Sequence, residues 1–232
     1  TEAAERDGFG TDSTYDALEP LLTVDGRQYG FPCNVYVMAL WVNVDTFEKL
    51  GLEPPPAQWD WDTFERLGKE FVKRANPPGQ RQTVFFVNRI EHPFFVGALQ
   101  RSLGASDLNE TMTASGLTHT GYAQALARIR KWTFEDHIAA SKAEETAFST
   151  ESGYSGAGLT LFHHGNYGTY NIGRWALIRL RQFAKPPRVS VSHFPYGEFP
   201  NAVISARTAC IYAGSPHLDK AKLFLAYLAS DV

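Results

Sequence analysis

The strongest pattern of apolar positions in the chain is the run from residue 29 to residue 43. It follows an Asp25-Gly26 turn signal and is apolar on both of the faces that a strand would present. Strands with this pattern are typically covered on both faces. The run therefore predicts a strand buried on both sides, followed by a short helix that Asp45 caps and Gly51 ends.

Helical spacing, with apolar residues three and four apart, recurs in four later segments. The predicted helices start at Asp60, Pro93, Thr120 and Ser215. Short runs rich in β-branched and aromatic residues predict further strands. These predicted strands cover residues 83–87, 189–194 and 202–212.

Two segments are harder to assign from their pattern. Residues 158–181 are expected to form a strand, a turn at Gly165-Asn166, a second strand and a helix from Gly173. Residues 135–156 are small, polar and glycine-rich, which predicts a mobile surface connection.

Composition narrows the class of protein. The 232 residues are 44% hydrophobic and 13% aromatic, enough for a folded core. A net charge of -3 with scattered basic residues argues against a nucleic-acid partner. Two cysteines, Cys33 and Cys210, exclude a disulfide framework and a four-cysteine metal site but leave one bridge open.

The sequence offers little catalytic or metal-binding chemistry. It contains no GxSxG, Walker or GxGxxG motif, and pairs such as Glu144-Glu145 lie in a polar segment where solvated charge is the usual role. His163 and His164 are adjacent, so in a strand they would point to opposite faces and share one ion poorly. We predict no metal site, no cofactor and no enzymatic activity.

Several motifs resemble the type II extracellular solute-binding proteins of ABC importers, in the group that binds sugars and oligosaccharides. The matching segments are DGRQYGFP at 25–32, the strand end at 39–43, FEKLGL at 47–52 and QWD at 58–60. A second signature of that family is matched by Phe162, Gly165, Gly173 and Trp175. Gly168-Thr169 replaces the small residue and Met expected before Gly173.

The resemblance implies an α/β fold of the periplasmic binding protein-like II class, with two lobes joined by hinge strands. It places residues 1–31 in the first lobe, 32–43 and 201–212 in the hinge strands, 44–200 in the second lobe and 213–232 in a helix of the first lobe. The chain would then show mainly the second lobe. The family's N-terminal and C-terminal segments are expected before residue 1 and after Val232.

The resemblance also implies a solute site in the cleft between lobes. Trp175, at a helix start, would stack on the C–H face of a sugar, and free backbone N–H groups near Gly173 would meet hydroxyls. Phe94 and Phe95 are either an aromatic platform or core residues. Arg207, in an apolar run, is expected to be partly buried with a carboxylate or ligand partner. The remaining predicted binding residues are Asn34, Tyr36, Glu91 and Asn201.

The function implied is capture of a carbohydrate for an ABC permease, by a monomer located in the periplasm or outside the cell, with a lipid anchor as one route of attachment. Binding of another solute, such as a polyamine, iron or a peptide, is the main alternative. A carbohydrate-active enzyme is a further alternative, which would need two carboxylates about 5 to 10 Å apart. The sequence shows no second carboxylate in a suitable setting.

Overall fold

The computed structural model describes residues 10–11, 14–87, 93–148, 156–200 and 202–229. The strands are β1 (Thr23–Val24), β2 (Arg27–Gln28), β3 (Phe31–Asn43), β4 (Val84–Phe86), β5 (Tyr167–Gly173), β6 (Val189–Ser192) and β7 (Val203–Ala209). The helices are α1 (Glu19–Leu22), α2 (Val44–Lys49), α3 (Trp61–Ala75), α4 (Pro93–Ser102), α5 (Thr120–Phe134), α6 (Lys142–Phe148), α7 (Gly156–His163), α8 (Leu177–Leu180) and α9 (Leu218–Ala229). Short 3-10 helices span Asp16–Leu18 and Arg174–Ala176.

The chain forms two compact units. Unit 1 comprises Thr1–Val37 and Ile204–Val232, and unit 2 comprises Met38–Val203. The chain therefore passes from unit 1 to unit 2 within β3 and returns within β7. These two strands pair with each other.

The sheet of unit 2 is built on the second half of β3. β5 and β6 both pair with β3 in antiparallel fashion, and β4 pairs with β5 in parallel. Strands lie on both sides of this half, and its residues Leu40 and Val42 are fully buried. Asn43 ends the strand, where its side-chain amide donates to the Phe162 carbonyl at 2.6 Å and its oxygen caps α2 at Thr46 N, 3.0 Å away.

The first half of β3 departs from the predicted burial. Val37 is 47% exposed, and Cys33 and Asn34 are also exposed. Tyr29, at the start of the predicted run, is 60% exposed. The prediction of burial on both sides is thus correct from Met38 to Asn43, apart from the partly buried Ala39, and wrong for the part of the run before Met38. The reason is that the pairing with β5 and β6 starts only at Met38 and Leu40.

The aromatic core of unit 2 lies where α3 packs on β4. Asp60 caps α3 by accepting from Thr63 N at 2.7 Å, which confirms the predicted helix start. The residues at helical spacing include fully buried rings, and the ring of Phe64 lies 5.1 Å from that of Phe85. The buried core side chains of α3 are Trp61, Phe64 and Phe71.

Two helix caps differ from the prediction. Asn43, not Asp45, caps α2, and His119, not Thr120, caps α5 through its Nδ1. Asp45 instead accepts from the backbone N–H and the guanidinium of Arg188. In both cases the neighbouring side chain that reaches the free N–H groups lies one or two residues earlier than expected.

Two segments predicted as strand or loop are helical. Residues 156–163 form α7 instead of a strand, and Lys142–Phe148 forms α6 inside the predicted mobile connection. Leu159 and Phe162 of α7 are buried against β5. They are three residues apart, so they lie on the same face of the helix. The turn predicted at Gly165 is confirmed, with φ of +81°.

Unit 1 contains α1, the β1–β2 hairpin, the first half of β3, most of β7 and α9. Asp25 and Gly26 form the predicted turn with positive φ, and Leu18 and Leu22 are buried. Gly30 lies close to β7: a Cβ added there would be 2.1 Å from Thr208 Cγ2, so a side chain at position 30 would require Thr208 to move. The two cysteines, which the sequence left open as one bridge, are exposed free thiols.

Candidate functional site

The C-terminal end of β5 positions the indole of Trp175. β5 ends at Gly173, and the chain turns at once into the 3-10 helix that contains Trp175. A Cβ added to Gly173 would lie 2.9 Å from both Cδ1 and Nε1 of the Trp175 ring. The ring therefore occupies the space that any other residue at position 173 would need.

Met38 lies next to position 173, and the core of unit 2 packs against the Trp175 ring. Met38 Sδ lies 3.5 Å from the same added Cβ, and Met38 pairs with Gly173 across β3 and β5. Trp175 is partly buried and packs against the hydrophobic core cluster that includes Ile172 and Ala176. An indole fixed in this way has one part in the core and another part open, which suits stacking on an apolar ligand face.

The turn after Gly173 is shorter than the predicted helix. Gly173 is the N-cap, with extended backbone and no capping side chain, and the 3-10 helix spans three residues before α8. The helix expected from Gly173 is thus two short pieces. Trp175 nevertheless lies in the first turn after Gly173, as the sequence predicts.

The structure tests the prediction for only one of the two phenylalanines of α4. Phe95 is 1% exposed, and its ring lies 4.5 Å from that of Phe86 and 5.7 Å from that of Phe194. The core alternative is therefore the correct one for Phe95. Phe94 lies in α4, but its side chain is outside what the structure describes, as is the whole of Glu91.

The predicted residues of unit 1 lie on its two paired strands. Asn34 is exposed and Tyr36 is partly buried in β3, and Arg207 is exposed in β7. The expectation that Arg207 is partly buried is wrong, because its side chain is exposed among the residues that the structure describes. Asn201 lies outside the described residues.

The histidine pair belongs to a helix end. His163 is the last residue of α7, so the strand geometry assumed for the pair is wrong. The His163 ring stacks on Phe183 at 4.0 Å, and its Nε2 lies 2.9 Å from the Lys185 carbonyl oxygen. Within the described ranges, no group of three or more His, Cys, Asp or Glu side chains is arranged to hold a metal ion.

Sequence reasoning missed two residues close to Gly173 in the paired strands β3 and β5. Met38 falls within the apolar run and carries no signal of its own. Asn171 is a polar residue in a strand whose residues are all buried, and it is only 7% exposed. A carboxamide in an otherwise buried strand is the signal that could have pointed to Asn171.

Comparison with known proteins gives the family and the fold. The family model described as bacterial extracellular solute-binding protein matches residues 3–232. Putative binding proteins of Brucella abortus (strain 2308) and Brucella suis biovar 1 (strain 1330) are 46% identical over 175 residues, which are 75% of this chain and 39% of theirs. The chain thus spans well under half the length of these relatives.

Solved structures show the same architecture. An ABC substrate-binding protein of Listeria monocytogenes, in complex with cycloalternan, matches with a TM-score of 0.83 at 18% identity, over 99% of this chain and 55% of that one. An ABC transporter solute-binding protein of Thermotoga lettingae bound with α-D-tagatose matches with a TM-score of 0.77 at 17% identity, over 97% of this chain and 56% of that one.

These neighbours confirm the predicted α/β fold of the periplasmic binding protein-like II class. Among the described residues, every helix is too short or too polar to cross a membrane. The family model covers nearly the whole length. The chain therefore belongs to the family of bacterial extracellular solute-binding proteins.

Proposed function

We propose that this chain is part of a protein that captures a carbohydrate and delivers it to an ABC permease. The observation that carries the proposal is the indole of Trp175, fixed over Gly173 at the end of β5 and partly open. Pyranose rings present C–H faces that stack on such a ring, while their hydroxyls need separate hydrogen-bonding partners. Sugars bound to the structural neighbours agree with this ligand class.

The proposed hydrogen-bonding partners of the sugar hydroxyls are polar residues on the two strands that cross between the units. Asn34 and Tyr36 on β3 and Arg207 on β7 are proposed to bind hydroxyls, and the exposure of Asn34 and Arg207 leaves their polar atoms accessible. Glu91 and Asn201 are proposed on the family resemblance alone, as is Phe94. Phe95 is proposed to support the platform from the core, where its ring contacts are.

The two crossings of the chain support a hinge. β3 and β7 each run from one unit into the other and pair with each other, so unit 1 and unit 2 are proposed as the lobes that move about them. Inside unit 1, Gly30 lies just before β3 and close to Thr208 of β7. Capture by such a motion needs no covalent chemistry, so the proposed role is binding and not catalysis.

The family supports a site of action outside the cytoplasmic membrane, in the periplasm or on the cell surface. The proposed partners are the solute and the permease subunits of the importer. A lipid anchor and a monomeric state are part of the proposal for the whole protein. Measurements of membrane attachment and of oligomeric state on the whole protein would decide between these possibilities.

The test is calorimetric titration of the chain with maltose, D-tagatose, D-mannitol and, as a non-sugar probe, putrescine. Trp175→Ala is expected to weaken sugar binding by about 2 kcal/mol, or roughly 30-fold in Kd, as loss of a central aromatic contact typically does. Phe134→Ala, at a 64% exposed ring of α5, is the matched control and should bind like the wild type.

Sugar affinity that is unchanged in Trp175→Ala would remove the proposed platform. Binding of putrescine without binding of any hydroxylated probe would favour a polyamine as the solute. Failure of all the probes would reject carbohydrate capture by this chain.

A further inference from the structure

Asn171 is a buried polar residue whose hydrogen bonding is incomplete. Its side chain is 7% exposed, and its Oδ1 is buried with no hydrogen-bond partner among the residues that the structure describes. Thr169, two residues earlier on β5, is also buried, but its hydroxyl donates to the Phe85 carbonyl at 2.8 Å. Buried polar atoms in native proteins are nearly always paired, so an unpaired carboxamide oxygen requires an explanation.

The pairing of β5 with β3 places Asn171 on the same side of the sheet as the Trp175 platform. The register runs without a break from Met38 opposite Gly173 to Leu40 opposite Asn171. Residues two apart in a regular strand project from one face, so Asn171 and the added Cβ of Gly173 point the same way. That Cβ direction leads to the Trp175 ring at 2.9 Å.

The spacing of positions 171 and 173 along β5 is comparable to the size of a sugar ring. Residues two apart in a strand are separated by about 7 Å, and a pyranose with its hydroxyls spans a similar length. A ring stacked on Trp175 would therefore extend along β5 toward position 171, on the same face of the strand. A neutral amide both accepts and donates, as the hydroxyl rim of a carbohydrate requires.

We infer that Asn171 is a further ligand-binding residue, whose side-chain oxygen accepts a hydrogen bond from a hydroxyl of the solute stacked on Trp175. This inference rests on the proposed capture of a carbohydrate. It adds a residue that determines which hydroxyl pattern is accepted, because a solute without a donor at that position leaves the oxygen unpaired. Ligands that carry a hydroxyl there would be favoured over their deoxy analogues.

The test compares Asn171→Leu with the control Thr169→Val, in the complete 232-residue chain. Affinity for maltose, D-tagatose and D-mannitol is measured by calorimetry, and the thermal midpoint is measured without ligand. Asn171→Leu removes the unpaired oxygen at nearly constant size, so its midpoint should equal or exceed that of the wild type, while its Kd for a bound probe rises about tenfold. Thr169→Val breaks an existing hydrogen bond and should lower the midpoint without changing the Kd.

Each outcome separates the inference from the function on which it rests. If wild-type protein binds a probe and Asn171→Leu binds it equally well, Asn171 is not a ligand residue and the proposed function stands. A lower midpoint for Asn171→Leu with unchanged affinity identifies a structural amide and also overturns the inference. If the wild type binds none of the probes, the proposed function fails and the inference falls with it.

Discussion

Gly168 gives the sharpest prediction on packing, because a ring of the core occupies the space that a side chain at this position would need. A Cβ added there would lie 2.5 Å from Cζ and 2.7 Å from Cε2 of Phe71, whose side chain is fully buried. Carbon atoms in contact prefer about 3.5–4.0 Å, so the ring would have to move by about 1 Å. Its neighbours Phe47 and Phe85, with ring centroids 5.0 and 5.6 Å away, leave little room for that shift.

We therefore expect Gly168→Ala to lower the free energy of unfolding of unit 2 by about 2–3 kcal/mol, near the upper end for an added methyl group in a packed core. The assay is urea denaturation followed by tryptophan fluorescence. The chain has 5 tryptophans, and all of them lie in unit 2, so the signal reports on this unit alone.

Gly97→Ala is the matched control. It is the same chemical change in α4, but the added Cβ would meet only the guanidinium of Arg101, at 3.1 Å, which can move. Because Ala is the better helix former, this variant should gain up to about 1 kcal/mol.

Phe71→Leu shortens the opposing side chain and should relieve the clash. The double variant is thus expected to be more stable than the two single changes predict by addition. The reasoning is refuted if Gly168→Ala unfolds within about 0.5 kcal/mol of the wild type, or if its effect simply adds to that of Phe71→Leu.

Two further predictions concern the platform and an ion pair of unit 2. Gly173→Ala should displace the Trp175 ring and weaken sugar binding while Trp175 itself is retained; calorimetry with maltose checks this, and unchanged affinity would contradict it. Asp45 accepts a backbone hydrogen bond and a side-chain hydrogen bond from Arg188, which lower its pKa in the folded state. This stabilisation is complete above the ordinary pKa of aspartate and is lost as the pH falls through the lower folded-state pKa. Asp45→Asn should therefore be less stable than the wild type near pH 7, the difference shrinking in urea titrations below about pH 4, and a difference that persists at pH 2 would argue against the ion pair.

Local signals predicted most of the secondary structure. The start of α3 is a good example, because Asp60 supplies the cap and the apolar residues after it repeat at helical spacing. The strand at Val84–Phe86 and the helix from Pro93 were predicted for the same reason: their signals lie within a few neighbouring residues.

The errors occur where local pattern is ambiguous. α7 is a short apolar segment in which Leu159 and Leu161 alternate as they would in a strand, and such runs do not distinguish a strand from a buried helix. The cap of α2 was assigned to Asp45 because an acidic residue is a common cap, yet Asp45 pairs with Arg188, which is distant in the sequence. No local rule reveals that partner.

The candidate site divides in the same way. Gly173 and Trp175 were found from a motif, because they are close together in the sequence. Asn171 was not found, since its burial and its place beside the platform depend on the pairing of β5 with β3. Arg207 shows the reverse error: the apolar residues around it suggested burial, but in the described part of unit 1 it is exposed.

The two halves of β3 differ in the contacts that hold them. From Met38 to Asn43 it is held between β5 and β6, and Asn43 fastens its end to α7 and α2. Before Met38 it lies in unit 1, where Asn34 remains accessible. The Trp175 ring lies over Gly173 at the end of β5 and packs against the core cluster, so the ring is tied to the sheet of unit 2 and not to the first half of β3.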